Sequence, residues 1–129
     1  MSEPLDLEMA TAYADRWWSE LWAEGRIDLV DELVAPRHVR HSSSGSRWLD
    51  REEFKIELVQ HQRVLHRPVT EINALTVTDG IIWSRATSRG ANLDTGEPMV
   101  VCWLQMQRLE QAMLAESWLL TATGTDWVV

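Results

Sequence analysis

Thr70-Glu71-Ile72-Asn73-Ala74-Leu75-Thr76-Val77-Thr78-Asp79-Gly80-Ile81-Ile82-Trp83-Ser84-Arg85-Ala86-Thr87-Ser88-Arg89 is the stretch whose reading decides the fold. Residues 70–78 and 81–89 carry β-branched and apolar side chains in strand-like alternation. Between them Asp79-Gly80 is a two-residue turn of the kind that joins antiparallel strands, because both central positions need positive φ. Downstream, residues 90–98 are rich in Asn, Asp, Thr and Gly and read as a longer turn. Residues 99–109 and 113–121 then read as two more strands, with a final short piece near Trp127.

Upstream of Pro68 the period is helical. From Asp6 to Glu24, Ala10, Tyr13, Ala14, Trp17, Trp18, Leu21 and Trp22 recur at spacings of three and four and lay an aromatic stripe along one face. Gly25 stops that helix. A short second helix follows, with Asp28 as N-cap, Leu29, Val30, Leu33 and Val34 on its buried side, and Pro36 after its end. Residues 37–41 read as a brief extended segment and residues 42–46, Ser-Ser-Ser-Gly-Ser, as a loop. Asp50 and Glu53 form a capping pair before a third helix that buries Phe54, Leu58, His61 and Leu65. Three helices followed by four strands predict one α+β domain over residues 1–129, with the helices on one face of a curved, mainly antiparallel sheet.

Composition narrows the function classes. With 45% hydrophobic and 25% charged residues in 129, the chain reads as globular. A net charge of -8 and scattered basic residues oppose nucleic-acid binding, and no apolar run reaches the ~20 residues that cross a bilayer. The acidic start Met1-Ser2-Glu3-Pro4 is unlike a signal peptide, and the lone Cys102 suits a reducing compartment, so a cytoplasmic protein is expected. Eight Trp stand against one Tyr and one Phe, a surplus of large rings that either fill a core or line a site.

The order of elements and several local patterns resemble the SnoaL-like branch of the nuclear-transport-factor-like superfamily, a cystatin-like α+β cone with a central pocket. Trp17-Trp18-Ser19-Glu20-Leu21-Trp22-Ala23-Glu24-Gly25-Arg26-Ile27-Asp28 looks like the family's aromatic first helix and its Gly-x-x-Asp junction. Residues 33–41 are similar to its Leu-x-Ala-Pro-x-x-x-x-His segment, and Arg108 with residues 114–118 resembles its closing hairpin. The resemblance implies polyketide cyclase-like, ketosteroid isomerase-like or epoxide hydrolase-like chemistry, but the acids are missing. The cyclase aspartate falls on Ala122. The two hydrolase acids fall on Thr87 and Leu120. In the isomerase register the base falls on Ser42, beside His41, the tyrosine donor on Trp18 and the protonated acid on Gln105. Trp and Gln both donate hydrogen bonds without pKa adjustment.

These positions define the candidate site. His41 and Gln105 are the catalytic candidates, His41 as proton acceptor in the place of the lost carboxylate and Gln105 as oxygen-polarising donor. Trp18, Trp22, Glu116 and Trp118 are the substrate-binding candidates; Glu116 and Trp118 share strand parity and so share a face. The alternative for His41 is a structural hydrogen bond to the serine loop or to backbone. His38-x-x-His41 and His61 with His66 do not converge three or four ligands, so no metal is expected, and no cofactor motif is present.

Two functions remain. One is a binding protein, or an isomerase or cyclase, that takes a small apolar carbonyl compound into the cone. The other is a non-catalytic module whose indoles fill the cone and whose sheet serves dimerisation or another protein. Trp83 alternates with Arg85, Thr87 and Arg89 on a strand whose other face is needed by the core, which predicts a homodimer through the outer sheet face.

Overall fold

Asp6 opens the first helix: its carboxylate accepts the Met9 N–H at 2.8 Å, and α1 (Leu7–Asp15) follows. In the computed structural model, which describes residues 4–127, α1 runs without a break into a π-helical segment, Arg16–Trp22. Nine α-helical and seven π-helical residues together outlast the 14 residues of α3 (Arg51–Val64). Tyr13, Trp17, Trp18 and Leu21 of this stripe are buried, and Tyr13 Oη donates to the Leu33 carbonyl at 2.7 Å. Gly25, at φ 67, ends the run in the left-handed region that suits glycine.

Asp28 is not the N-cap of the second helix. It lies inside a 3-10 turn, Ile27–Leu29, where its carboxylate accepts from Arg26 at 3.0 Å, and the α2 helix that follows (Val30–Leu33) has no side-chain cap. The ion pair with Arg26 takes the oxygen that a cap would have offered to the helix N–H groups. Asp50 behaves as expected: it accepts from Glu53 N at 2.8 Å while Glu53 reaches back to Asp50 N at 3.2 Å, and the capping box starts α3. Phe54 and Leu58 are the helix's deepest residues.

Six strands form one sheet rather than four: β1 (Val34–Ser42), β2 (Gly45–Asp50), β3 (His66–Thr78), β4 (Ile81–Ala91), β5 (Pro98–Glu110) and β6 (Met113–Thr123). Their order is β2-β1-β6-β5-β4-β3, antiparallel throughout except for the parallel pair β1–β6. The brief extended segment is therefore a nine-residue strand. The serine loop expected over 42–46 shrinks to the turn at 43 and 44, and residues 45 and 46 belong to a strand, 45–50, that pairs with β1. Only Leu49 of β2 is buried, so this edge strand is held by its ladder and carries almost no apolar alternation. Pro36 sits in β1 where neither neighbour pairs with it: the β6 register shifts between Val34 and Val39, and the β2 ladder begins at Arg37.

Asp79 and Gly80 take φ 54 and 74, the doubly left-handed turn the dipeptide predicts. No strand forms near Trp127 among the described residues. Its indole instead donates to the Ala86 carbonyl at 3.1 Å, with the Arg85 guanidinium 5.8 Å from the ring centroid. One face of the sheet, with Ile82, Ala86, Val101, Trp103 and Leu114, packs on the helices in a single core with Trp17, Trp18 and Phe54.

Candidate functional site

The π winding sets the site's inner wall. Trp18 receives the Ala23 N–H at 3.0 Å, a five-residue closure, and this wider turn brings Trp17 and Trp22 to the same side with ring centroids 6.1 Å apart. Gln62 of α3 donates to the Trp22 carbonyl and ties the end of the π segment to the third helix. Trp18 meets Trp103 of β5 at 5.2 Å and Phe54 meets Trp17 and Trp22 at 5.7 Å each. Rings from three elements thus surround an opening between the helices and the inner face of the sheet.

That opening is a cavity of about 340 Å³. Trp17, Trp18 and Trp22 line it from the first helix, and Trp103, Gln105 and Ser117 line it from the sheet. Gln105 and Trp18 therefore face one cavity, as the isomerase register requires. Gln105 Oε1, Trp17 Nε1 and Trp22 Nε1 are buried without a partner among the described residues. Orphaned polar atoms beside a hollow are costly to leave unmet and mark where a ligand or water would bind. His61 of α3 also lines the cavity, its ring edge-on to Trp22 and tilted on Trp103. Burial holds its imidazole below the ordinary value, so it stands neutral at pH 7. At the rim Arg40 donates to Glu57 at 2.6 Å, and Arg47 donates to the other Glu57 oxygen.

His41, Glu116 and Trp118 are not in this cavity, a correction to the expected site. A bulge near Ala115, where Leu114 pairs with Leu109 but Glu116 with Arg108, reverses the parity of β6. Leu114, Ser117 and Leu119 consequently face the cavity, while Trp118 and Leu120 line a groove on the outer face. Glu116 and Trp118 share a face as expected, but it is the other one. His41 joins them there: its ring stacks on Trp118 at 5.4 Å and 20°, Nε2 lies 2.7 Å from Glu116 Oε2, and Nδ1 lies 2.6 Å from Ser46 Oγ. Arg108 Nε donates to Glu116 Oε1 at 3.1 Å. The His41 contact first, then Arg108, holds the Glu116 carboxyl below its ordinary value.

Arg40, Glu57 and His61 were not named as site residues from the sequence. His61 stood on the buried stripe of α3, which announced burial but not a hollow beside it. Arg40 shares inner parity with His38 and Ser42, a signal visible only once β1 is known to be a full strand. Among the described residues no group of three or more His, Cys, Asp or Glu could hold a metal ion, and no helix is long and apolar enough to cross a membrane.

No family model matches the chain, and no curated protein matches it. Solved structures do. A candidate polyketide cyclase from Acidithiobacillus ferrooxidans superposes with TM-score 0.79 at 18% identity, covering 94% of this chain and 91% of that one. A candidate SnoaL-like polyketide cyclase from Jannaschia gives 0.75 at 17% identity over 94% and 90% of the two chains. A ketosteroid isomerase-like protein from Catenulispora acidiphila, solved with trimethylamine, gives 0.65 at 14% identity over 89% and 85%. The chain has the SnoaL-like, ketosteroid isomerase-like cone fold. In the terms of that SnoaL-like cone, the 340 Å³ cavity is the hollow between helices and sheet, and its indoles line the hollow without filling it.

Proposed function

We propose that the cone binds a small, mostly apolar carbonyl compound and performs isomerase- or cyclase-type acid/base chemistry on it. The observation that carries this reading is one cavity of about 340 Å³ lined by four indoles, whose lining residues carry three unpartnered polar atoms, Gln105 Oε1, Trp17 Nε1 and Trp22 Nε1. Its volume is of the size of small-molecule sites, which begin at about 300 Å³. The Trp22 N–H and the Gln105 amide hold the ligand oxygen, and Gln105 Oε1 accepts from a hydroxyl or enol on the same molecule. His61 takes the proton-accepting place first given to His41, because it is the neutral imidazole on the cavity wall.

A thermal-shift screen of small cyclic ketones, enones and hydroxyaryl ketones tests this. A binder present at a hundred times its Kd raises stability by about 2.7 kcal/mol and quenches tryptophan fluorescence. No shift with any member of the panel counts against the reading.

A companion proposal concerns the opposite face. Trp83, Leu104 and Leu120 are 43%, 45% and 57% exposed there, and with Met106 and Trp118 they line an apolar groove of about 480 Å³. Such a cluster of large apolar side chains favours an interface, and we propose that a second copy of the chain covers it.

A further inference from the structure

Ser46, His41 and Glu116 stand in hydrogen-bonded series, outside the cone and unused by the chemistry proposed for it. Ser46 Oγ is 2.6 Å from His41 Nδ1, and His41 Nε2 is 2.7 Å from Glu116 Oε2. Arg108 anchors the second Glu116 oxygen at 3.1 Å, and the Trp118 indole lies under the imidazole at 5.4 Å. The ring is thus fixed by partners on both edges and on one face. A neutral imidazole that gives Nε2–H to the carboxylate has only a lone pair at Nδ1, so Nδ1 must accept from the Ser46 hydroxyl. This is the order nucleophile, base, orienting carboxylate that activates a serine, with the two ring nitrogens exchanged relative to the common protease arrangement.

Position supplies the rest. Ser46 lies on the edge strand β2 and is exposed. It borders a polar hollow of about 450 Å³ with Ser42, Ser44, Arg40 and Arg47. Ser46 shares the outer face with its pairing partner His41, whereas Arg40 and Arg47 pair on the opposite face, so an ester reaches the Ser46 hydroxyl from the side of Trp118 and its apolar groove.

We infer that Ser46 is the nucleophile of a second site, which hydrolyses small esters of short apolar acids. Ser46 Oγ attacks the acyl carbon as its proton passes to His41 Nδ1. The acyl C–O bond breaks, and the departing alkoxide takes that proton and leaves as alcohol. Water then attacks the acyl-serine, giving its proton to Nδ1. Collapse releases the acid, and the proton returns to Ser46 Oγ. Ester and water become acid and alcohol, with no further reactant. Glu116 is a positioning residue: it fixes the tautomer through Nε2.

The test uses the full chain with a fluorophosphonate probe and the chromogenic substrate p-nitrophenyl butyrate. One adduct is expected, mapped by mass spectrometry to Ser46, with the butyrate ester cleaved at least tenfold faster than in buffer. Ser46→Ala should lose the adduct and at least tenfold in ester cleavage. This exposed position loses only a hydroxyl, so folding is not at stake. His41→Gln should cut the labelling rate by about a hundredfold, and Glu116→Gln by about tenfold at unchanged probe concentration dependence, each with circular dichroism matching the parent. Labelling absent or spread over Ser42, Ser43 and Ser44, or equal cleavage by Ser46→Ala, would overturn the nucleophile. Cleavage of the butyrate no faster than in buffer would overturn the ester substrate. Neither result bears on the cone, whose ligands are read by thermal shift.

Discussion

The imidazole of His61 stands edge-on to the indole of Trp22, ring centroids 4.8 Å apart and planes at 78°. Trp103 tilts against it at 5.8 Å, so the half-buried ring lies against apolar surface that solvates a positive charge poorly. Burial therefore lowers its pKa. Titration of the His61 ring protons by NMR should give a midpoint below the ordinary value of about 6.5, and a midpoint at or above it would contradict a neutral base in the cone. Trp22→Ala, which opens the site to water, should move that midpoint upward.

Gln105 offers the cavity an acceptor with no other partner among the described residues. Gln105→Leu removes amide donors and acceptor together and replaces an unmet polar group with an apolar one. The fold should be as stable as the parent or more so. Affinity for a carbonyl ligand from the thermal-shift screen should fall by about tenfold or more, equivalent to about 1.4 kcal/mol. Unchanged affinity by titration calorimetry would show that the ligand oxygen lies elsewhere.

His38 is fully buried against Phe54, ring centroids 5.6 Å apart, and neither nitrogen has a partner among the described residues. Burial first, then Arg40 and Arg47 against the opposing pull of Glu57, pushes its pKa down to about 4. The folded value lies below the unfolded one, so between the two the unfolded chain takes up a proton that the folded protein refuses. Stability is complete above about pH 6.5 and falls as pH drops toward 4, with a slope of up to about 1.4 kcal/mol per pH unit from this group. Urea denaturation at pH 7.0 and 5.5 measures it. His38→Leu should flatten the dependence, though His61, shifted in the same direction, leaves part of it.

Gly90 is a close-approach glycine. A Cβ there would lie 3.0 Å from the His66 carbonyl oxygen and 3.2 Å from the Pro68 Cα, both backbone atoms of the neighbouring strand. Gly90→Ala must push β3 from β4 and should cost about 1–3 kcal/mol, read as a lowered denaturation midpoint. Gly80 has open space around its Cβ position and φ 74, so Gly80→Ala is strained by conformation alone.

Leu104 is 45% exposed on the outer face, in the groove with Trp83 and Trp118. Leu104→Glu would place a charge at the centre of the proposed self-contact. Sedimentation should show the parent as a dimer at micromolar concentration and the variant shifted to monomer, with Tm at low concentration little changed. A parent that sediments only as monomer would remove the dimer.

Periodicity and turn chemistry carried the helices, the Asp79-Gly80 hairpin and the Asp50 capping box, because each depends on residues close in sequence. The aromatic stripe of α1 likewise announced its buried face with Trp22, and the isomerase register placed Trp18 and Gln105 in what is one cavity. Strand β2 escaped notice because its residues gain order from the β1 ladder rather than from burial. The π segment also left no local signature, since its winding is fixed by what Trp17, Trp18 and Trp22 pack against.

The sequence by itself determined which side chains share a face, since alternation and the helical period are properties of the backbone. Only the tertiary structure decided which face looks inward. One extra residue at the β6 bulge turned Glu116 and Trp118 away from the cone and set them beside His41, while packing between α3 and the sheet brought His61 to the cavity in their place. A single-residue register shift inverts a strand's two faces, and it arises from pairing between β5 and β6, which no property of either segment alone specifies.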